Sequence, residues 1–333
     1  MSNKKSTSQK RSRTTEVSQC IHCKKCTDNC LFLRKYEIDI GTTKRLKELA
    51  YHCYLCGRCT QVCPVGIDGR EVILSYRRAE IKNNCGKLKG YRFLRIEKEN
   101  YIFKNYKHAH KRSVIFPGCN FPSFYPKTMD ALLGLFNEYQ DTGIAYDCCG
   151  KPIAELGLGE KADQIIERIN QRLQDNHVEE VIMVCPNCYY YLEPKLTVKV
   201  IYVYDKLAQL GFSGSLSGEG MNLFIPCPDR ESRDLRQQLL AFVDGEPKDI
   251  SQIQCCGLGG CAAAKEQELS RELLSLFANK EYEAIYTYCG TCGGNISKSE
   301  AKHVRHVLPE LLGTHEVADI KHSLTNRAKT RFK

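Results

Sequence analysis

The sequence predicts an α/β protein: two related units in tandem, preceded by a smaller, mainly α-helical domain dense in cysteine. Three observations carry this expectation. From Val114 onward, short apolar, β-rich segments end at cysteines and alternate with amphipathic helical patterns, as buried parallel strands joined by helices do. These landmarks occur twice: Cys119 and Cys227 lie 108 residues apart, Cys149 and Cys256 lie 107 apart, and Cys185 and Cys289 lie 104 apart. Ahead of them, residues 19–75 hold eight cysteines in two runs of equal spacing.

In chain order, residues 1–18 read as a disordered basic tail, with five Lys or Arg and no acid in the first 15. Residues 19–75 are the cysteine-dense domain. Residues 76–112 hold twelve Lys or Arg against three Glu and few strand signals. They read as a basic helical linker, with a turn at Cys85-Gly86 and a face suited to docking. The first α/β unit, 113–213, contains VIFPGC (114–119), DCCG (147–150), VIMVCPNC (181–188) and VIYVYDKLAQLG (200–211). The second, 214–320, contains LFIPCP (223–228), QCCGLGG (254–260), AIYTYCGTC (284–292) and HVLPELLG (306–313). Helical patterns at 158–176 and 266–279 fall between these landmarks. Cysteines thus sit at the carboxyl ends of strands, where open sheets hold ligands. Residues 321–333 form a second basic tail, with five bases and no acid.

Twenty cysteines in 333 residues need an explanation, because a chain this long can build a core without disulfide staples. The first residues lack an apolar stretch of signal-peptide type, and no run of about 18 apolar residues exists. The protein is therefore expected in the cytoplasm, not itself transmembrane, or held at the inner face of a membrane through a partner. In a reducing compartment, cysteines at short spacings point to metal. The basic tails invite a nucleic-acid reading, but the α/β body carries eighteen basic against twenty-nine acidic groups, so no nucleic-acid partner is expected.

The first constellation is Cys20-x2-Cys23-x2-Cys26-x3-Cys30, followed by Cys53-x2-Cys56-x2-Cys59-x3-Cys63-Pro64. This run houses two cubane [4Fe–4S] clusters, the fourth ligand of each coming from the other motif. One cluster would take Cys20, Cys23, Cys26 and Cys63; the other Cys53, Cys56, Cys59 and Cys30. Zinc fits two such runs less well. Gly57 is expected to leave room for backbone beside a cluster.

The second constellation gives each unit a single cysteine, a vicinal pair and a CxxC: Cys119, Cys148, Cys149, Cys185 and Cys188, then Cys227, Cys255, Cys256, Cys289 and Cys292. Five thiolates exceed what a tetrahedral zinc or a regular cubane takes. A zinc ribbon from the CxxC pairs and a redox disulfide within a vicinal pair are the rivals of a polynuclear iron–sulfur site. Cys85 and Cys261 remain outside both sets. Cys85 reads as a plain thiol; Cys261 reads as structural or as a group beside the second site. Lys151, after the first vicinal pair, is either a surface lysine or a cation that stabilises thiolate charge. His303 and His306 are either a packed or solvated pair or a proton source. The glycine clusters at 157–160 and 214–220 fit no phosphate-binding fingerprint.

The doubled pattern C…CCG…CxxC resembles the cysteine-rich CCG domains of the heterodisulfide reductase catalytic subunit. With a ferredoxin-like dicluster segment ahead of it, residues 19–313 resemble the HdrD type, a fusion of HdrC and HdrB modules. The resemblance implies that each complete five-cysteine set binds a noncubane [4Fe–4S] cluster and that a disulfide is cleaved between the two. The ten repeat cysteines would then be the catalytic ligands. Electrons would pass from a redox partner, a flavoprotein or a membrane cytochrome or quinone subunit, through the cubanes to the noncubane pair. The expected activity is that of an anaerobic iron–sulfur oxidoreductase that reduces, or reversibly forms, a small disulfide. The alternative is a non-catalytic electron-transfer subunit linking a flavoprotein oxidoreductase to a quinone or cytochrome partner. The intervals Cys119 to Cys148 and Cys227 to Cys255 look short for the archaeal catalytic subunit, which loosens transfer of its substrate.

Overall fold

A computed structural model describes residues 13–333 except Asn279, Lys280 and Lys302. The first twelve residues of the basic tail lie outside the described residues. The remainder of that tail is built into the protein: Thr14 pairs with Gly66 and Asp68 through its backbone, and Arg13 donates to the Thr60 carbonyl at 2.6 Å.

The cysteine-dense part folds as short helices, Lys25–Asp28, Leu31–Lys35, Thr43–Glu48 and Arg58–Val62, closed by the longer helix Gly69–Asn83. Asp68 caps that last helix, its Oδ1 accepting the Arg70 and Glu71 N–H groups. The two CxxCxxC loops make the same turn. Lys24 and Gly57, both between the second and third cysteines of their runs, are left-handed at φ 61° and 74°. Gly57 takes its left-handed conformation without the strain a side chain would bring, and no protein atom lies within 4 Å of a Cβ built on it.

The first repeat is a five-stranded sheet. Its strands are β1 (Asn105–His108), β2 (Ser113–Phe116), β3 (Thr142–Tyr146), β4 (Glu180–Met183) and β5 (Lys199–Tyr202), in the order β1-β3-β2-β4-β5. All neighbours are parallel except β1 against β3. The second repeat pairs β6 (Leu216–Ser217) with β8 (Val243–Asp244). Its main sheet uses β7 (Asn222–Leu223), β9 (Lys248–Asp249), β10 (Ile285–Thr287) and β11 (Val304–His306), all parallel, in the order β11-β10-β7-β9. Laid side by side, β3-β2-β4-β5 and β9-β7-β10-β11 are one topology used twice. The apolar stripe of helix Gly159–Asp175 buries Ala162, Ile165, Ile166, Ile169 and Leu173 at helical spacing.

Two expectations are corrected. The basic segment 76–112 is not linker throughout: after helices Gly69–Asn83 and Arg92–Glu99 it supplies β1, which closes one edge of the first sheet. Residues 321–333 are not a free tail. Helix Ser323–Lys329 packs on Phe121–Phe124; the Ser123 hydroxyl donates to the Ser323 carbonyl at 2.6 Å, and the buried Asn326 amide reaches Asp319 at 2.9 Å.

Three bodies meet at Arg77, whose side chain is fully buried. Its guanidinium donates to the Ala50 and Cys53 carbonyls of the first domain, to Glu155 of the first repeat and to Gly260 of the second, all at 2.7–3.0 Å. Tyr51 stacks against it at 4.9 Å. Nearby, the buried Glu266 carboxylate of the second repeat takes Lys35 at 2.7 Å, the Tyr36 hydroxyl at 2.6 Å and His52 at 2.7 Å.

Candidate iron–sulfur site

None of the 20 cysteines is in a disulfide. Cys20, Cys23, Cys26 and Cys63 line one small pocket, together with Asp39 and Pro64. Cys30 lies with the second run instead. Burial, then the neighbouring Cys56 and Cys53 thiols, pushes Cys30 up to about 12. Cys59 rises well above the usual thiol range from burial and from Cys53, Cys30 and Cys56. Crowded buried thiols of this kind favour ionisation only when a metal takes the proton's place. The backbone leaves little slack around them. A Cβ on Gly41 would stand 2.8 Å from Cys20 Sγ, and one on Gly69 2.6 Å from Cys59 Sγ.

In each repeat three neighbouring strands deliver the cysteines. β2 leads to Cys119, β3 to Cys148-Cys149 and β4 to Cys185, which starts helix Pro186–Leu192 carrying Cys188. β7, β9 and β10 lead likewise to Cys227, Cys255-Cys256 and Cys289, with Cys292 on helix Gly290–Ile296. Nine of the ten line one cavity of about 440 Å³ between the repeats, and Cys261 lines it too. The tenth, Cys289, is fully buried, and its thiol interacts with that of its counterpart Cys185 across the two repeats. The two vicinal pairs match in their acid–base order, whereas Cys185 is raised and its counterpart Cys289 lowered. Hydrogen bonds from Cys148 and Cys188 hold Cys149 well below the usual thiol range; Cys255 and Cys292 do the same for Cys256. Gly118, at φ 71°, lets the chain pass so close to Cys188 that a Cβ would stand 2.9 Å from its Sγ. Ten soft donors, mostly buried and packed to this tolerance, fit iron–sulfur clusters.

Cationic groups line the same cavity: Lys98, Lys151, Arg230 and Arg327, against Glu97 and Glu155. Lys151 is not a surface lysine. It pairs with Glu155 at 2.6 Å and donates to Asn187 Oδ1 at 2.9 Å, while Asn187 Nδ2 reaches Cys289 Sγ at 3.7 Å. Burial works against the charge on Lys98, yet the Cys119 and Cys148 thiols and Glu97 raise its pKa. Arg327 bonds Glu97 and Asn120, both at 2.7 Å. Sequence reasoning missed Lys98, Arg230 and Arg327. Arg230 had a signal, three residues after Cys227; Arg327 had none, since it sits in an apparent tail. His306 does not face the cavity. Burial lowers it to about 4, it accepts the Leu308 N–H, and it packs on Phe121 and Tyr125. His303 is exposed, and Cys85 lies exposed at a turn away from both sites.

Comparison with known proteins agrees with this layout. A model described as a 4Fe-4S dicluster domain matches residues 16–67, and one described as a cysteine-rich (CCG) domain matches 113–193 and 222–297. An uncharacterized iron-sulfur protein of Methanococcus maripaludis is 22% identical over 87% of this chain and 69% of its own length. A subunit of the fumarate reductase (CoM/CoB) of Methanothermobacter marburgensis shows the same identity and coverage. A lactate utilization protein of an Exiguobacterium strain is 32% identical, over 20% of this chain and 18% of its own. No helix among the described residues is long and apolar enough to cross a membrane. With its dicluster domain, its two CCG domains and relatives that match along most of its length, the chain is an HdrD-like iron–sulfur protein of the electron-transfer, oxidoreductase kind.

Proposed function

We propose that the protein reduces, or reversibly forms, a small disulfide in the cavity between its two CCG repeats, as the redox subunit of a larger assembly. Cys20, Cys23, Cys26 and Cys63 would hold one cubane, and Cys53, Cys56, Cys59 and Cys30 the other. Cys119, Cys148, Cys149, Cys185 and Cys188 would hold one noncubane cluster; Cys227, Cys255, Cys256, Cys289 and Cys292 would hold its twin. The observation that carries this reading is the facing of nine of the ten repeat cysteines, drawn from both sets, onto one cavity. A substrate made of two sulfur halves meets two equivalent sites there.

Bound clusters would supply electrons singly to a bond that needs two. The disulfide takes up two electrons and two protons and leaves as two thiols. The chain's own residues set the conditions. Lys98, Lys151, Arg230 and Arg327 place positive charge where thiolate charge develops. Tyr91, Phe93, Leu94 and Leu258 give the cavity an apolar side that limits water. That a relative is called a subunit of a reductase supports a partner subunit for this chain as well.

Counting iron and acid-labile sulfide in anaerobically purified protein tests the reading. Four four-iron clusters require about sixteen irons. About eight would confine the assignment to the cubanes. Cys149→Ser should lower the count while leaving the cubane signals intact, and reduction of a small disulfide by the isolated chain with an artificial donor should require both sets.

A further inference from the structure

The residue before each vicinal pair differs between the repeats. In the first it is Asp147, which turns inward: Oδ1 accepts the Cys148 N–H at 2.7 Å and Oδ2 accepts the Tyr106 hydroxyl at 2.9 Å. In the second it is Gln254, which turns outward. Its Oε1 accepts the Leu31 N–H at 2.7 Å, and its Nε2 donates to Cys30 Sγ at 3.7 Å. Gln254 and Cys30 are 5% and 6% exposed, so water does not compete for either contact. The Gln254 carbonyl is itself held by the Arg230 guanidinium. Just beyond Cys255-Cys256 the chain presses on the Cys53 loop, where a Cβ on Gly259 or Gly260 would collide with the carbonyls of Tyr54 and Cys53. Cys255 packs in the same apolar cluster as Cys30 and Cys56, whereas Cys148 and Cys149 do not.

We propose that Gln254 is a positioning residue that ties the Cys30 cubane to the second five-cysteine set and raises that cubane's reduction potential. This rests on the ligand assignment of Cys30 made above. An N–H donated to a ligating sulfur stabilises the more negative, reduced state, and hydrogen bonds to sulfur are among the determinants of cluster potential. The same residue is joined to Cys255 through the peptide bond. The second set, and not the first, then exchanges single electrons with the dicluster domain. In each exchange one centre is oxidised as the other is reduced, and no atom moves.

Gln254→Leu and Gln254→Glu test this by potentiometric titration followed by electron paramagnetic resonance. The glutamate keeps the acceptor for the Leu31 N–H and loses the donor to sulfur. Both variants should keep the full iron and sulfide count. One cubane should become harder to reduce by about tenfold in its equilibrium, about 59 mV for one electron, while the other keeps its midpoint. Unchanged midpoints in both variants, or equal shifts in both cubanes, would overturn the proposal. Absence of two cubane signals from the wild-type protein would instead overturn the assignment beneath it.

Discussion

Replacing Arg77 with methionine should detach the three bodies of the protein from one another. The change keeps most of the side-chain volume and removes the guanidinium. Four buried carbonyls, on Ala50, Cys53, Glu155 and Gly260, lose their donor. At about 1 kcal/mol for each unpaired group the loss is about 4 kcal/mol, near the usual range for breaking a buried charged network. Loss of the stack on Tyr51 adds to it, and release of a buried charge subtracts. At about 2 °C per kcal/mol for a chain of this size, the melting midpoint should fall by about 8 °C. Arg77→Lys, with a compact ammonium that cannot span four carbonyls, should recover less than half. Arg78→Met is the control: Arg78 is half-exposed, its partner Glu71 is on the surface, and the expected change is below about 1 kcal/mol. Calorimetry on the three variants decides. If Arg77→Met melts within about 1 °C of wild type, or no lower than Arg78→Met, then the guanidinium does not hold this junction.

Two further outcomes follow from the same geometry. Gly118→Ala puts a Cβ 2.9 Å from Cys188 Sγ on a left-handed backbone, so iron should be lost from the first repeat while the cubane signals persist; a full iron count would show that the loop yields. Glu266 is held below the usual carboxylate range: burial alone would raise it, but hydrogen bonds from Lys35, Tyr36 and His52 outweigh burial. A depressed carboxylate contributes stability above its unfolded pKa of about 4.3 and loses it as pH falls through the lower folded value. Glu266→Gln should therefore cost about 1–3 kcal/mol at pH 7, with the gap to wild type closing below about pH 4.5; parallel pH curves would contradict this.

Whatever followed from local pattern was legible in the sequence. The cysteine spacings, the repeat and the apolar stripe of helix Gly159–Asp175 are short-range signals, and they located the α/β units. The polar strand Asn105–His108 carries no such signal. It is an edge strand, exposed over its last two residues, and only its pairing with β3 makes it a strand. The C-terminal helix was hidden for a related reason: its hold on the body comes from polar groups such as Asn326 and Arg327, which read as solvated in isolation. In the second repeat, β7 and β9 span two residues each, so long-range packing decides them. Of the cationic wall of the cavity only Lys151 stood out in the sequence, because Lys98, Arg230 and Arg327 come from separate stretches of chain and meet it only in the fold.

After a duplication, the two copies are ordinarily free to diverge, because a substitution in one leaves the other untouched. The contact between Cys185 and Cys289 withdraws that freedom at one point. Each is part of the environment of the other, so a substitution at either position alters the surroundings of a cysteine in both halves.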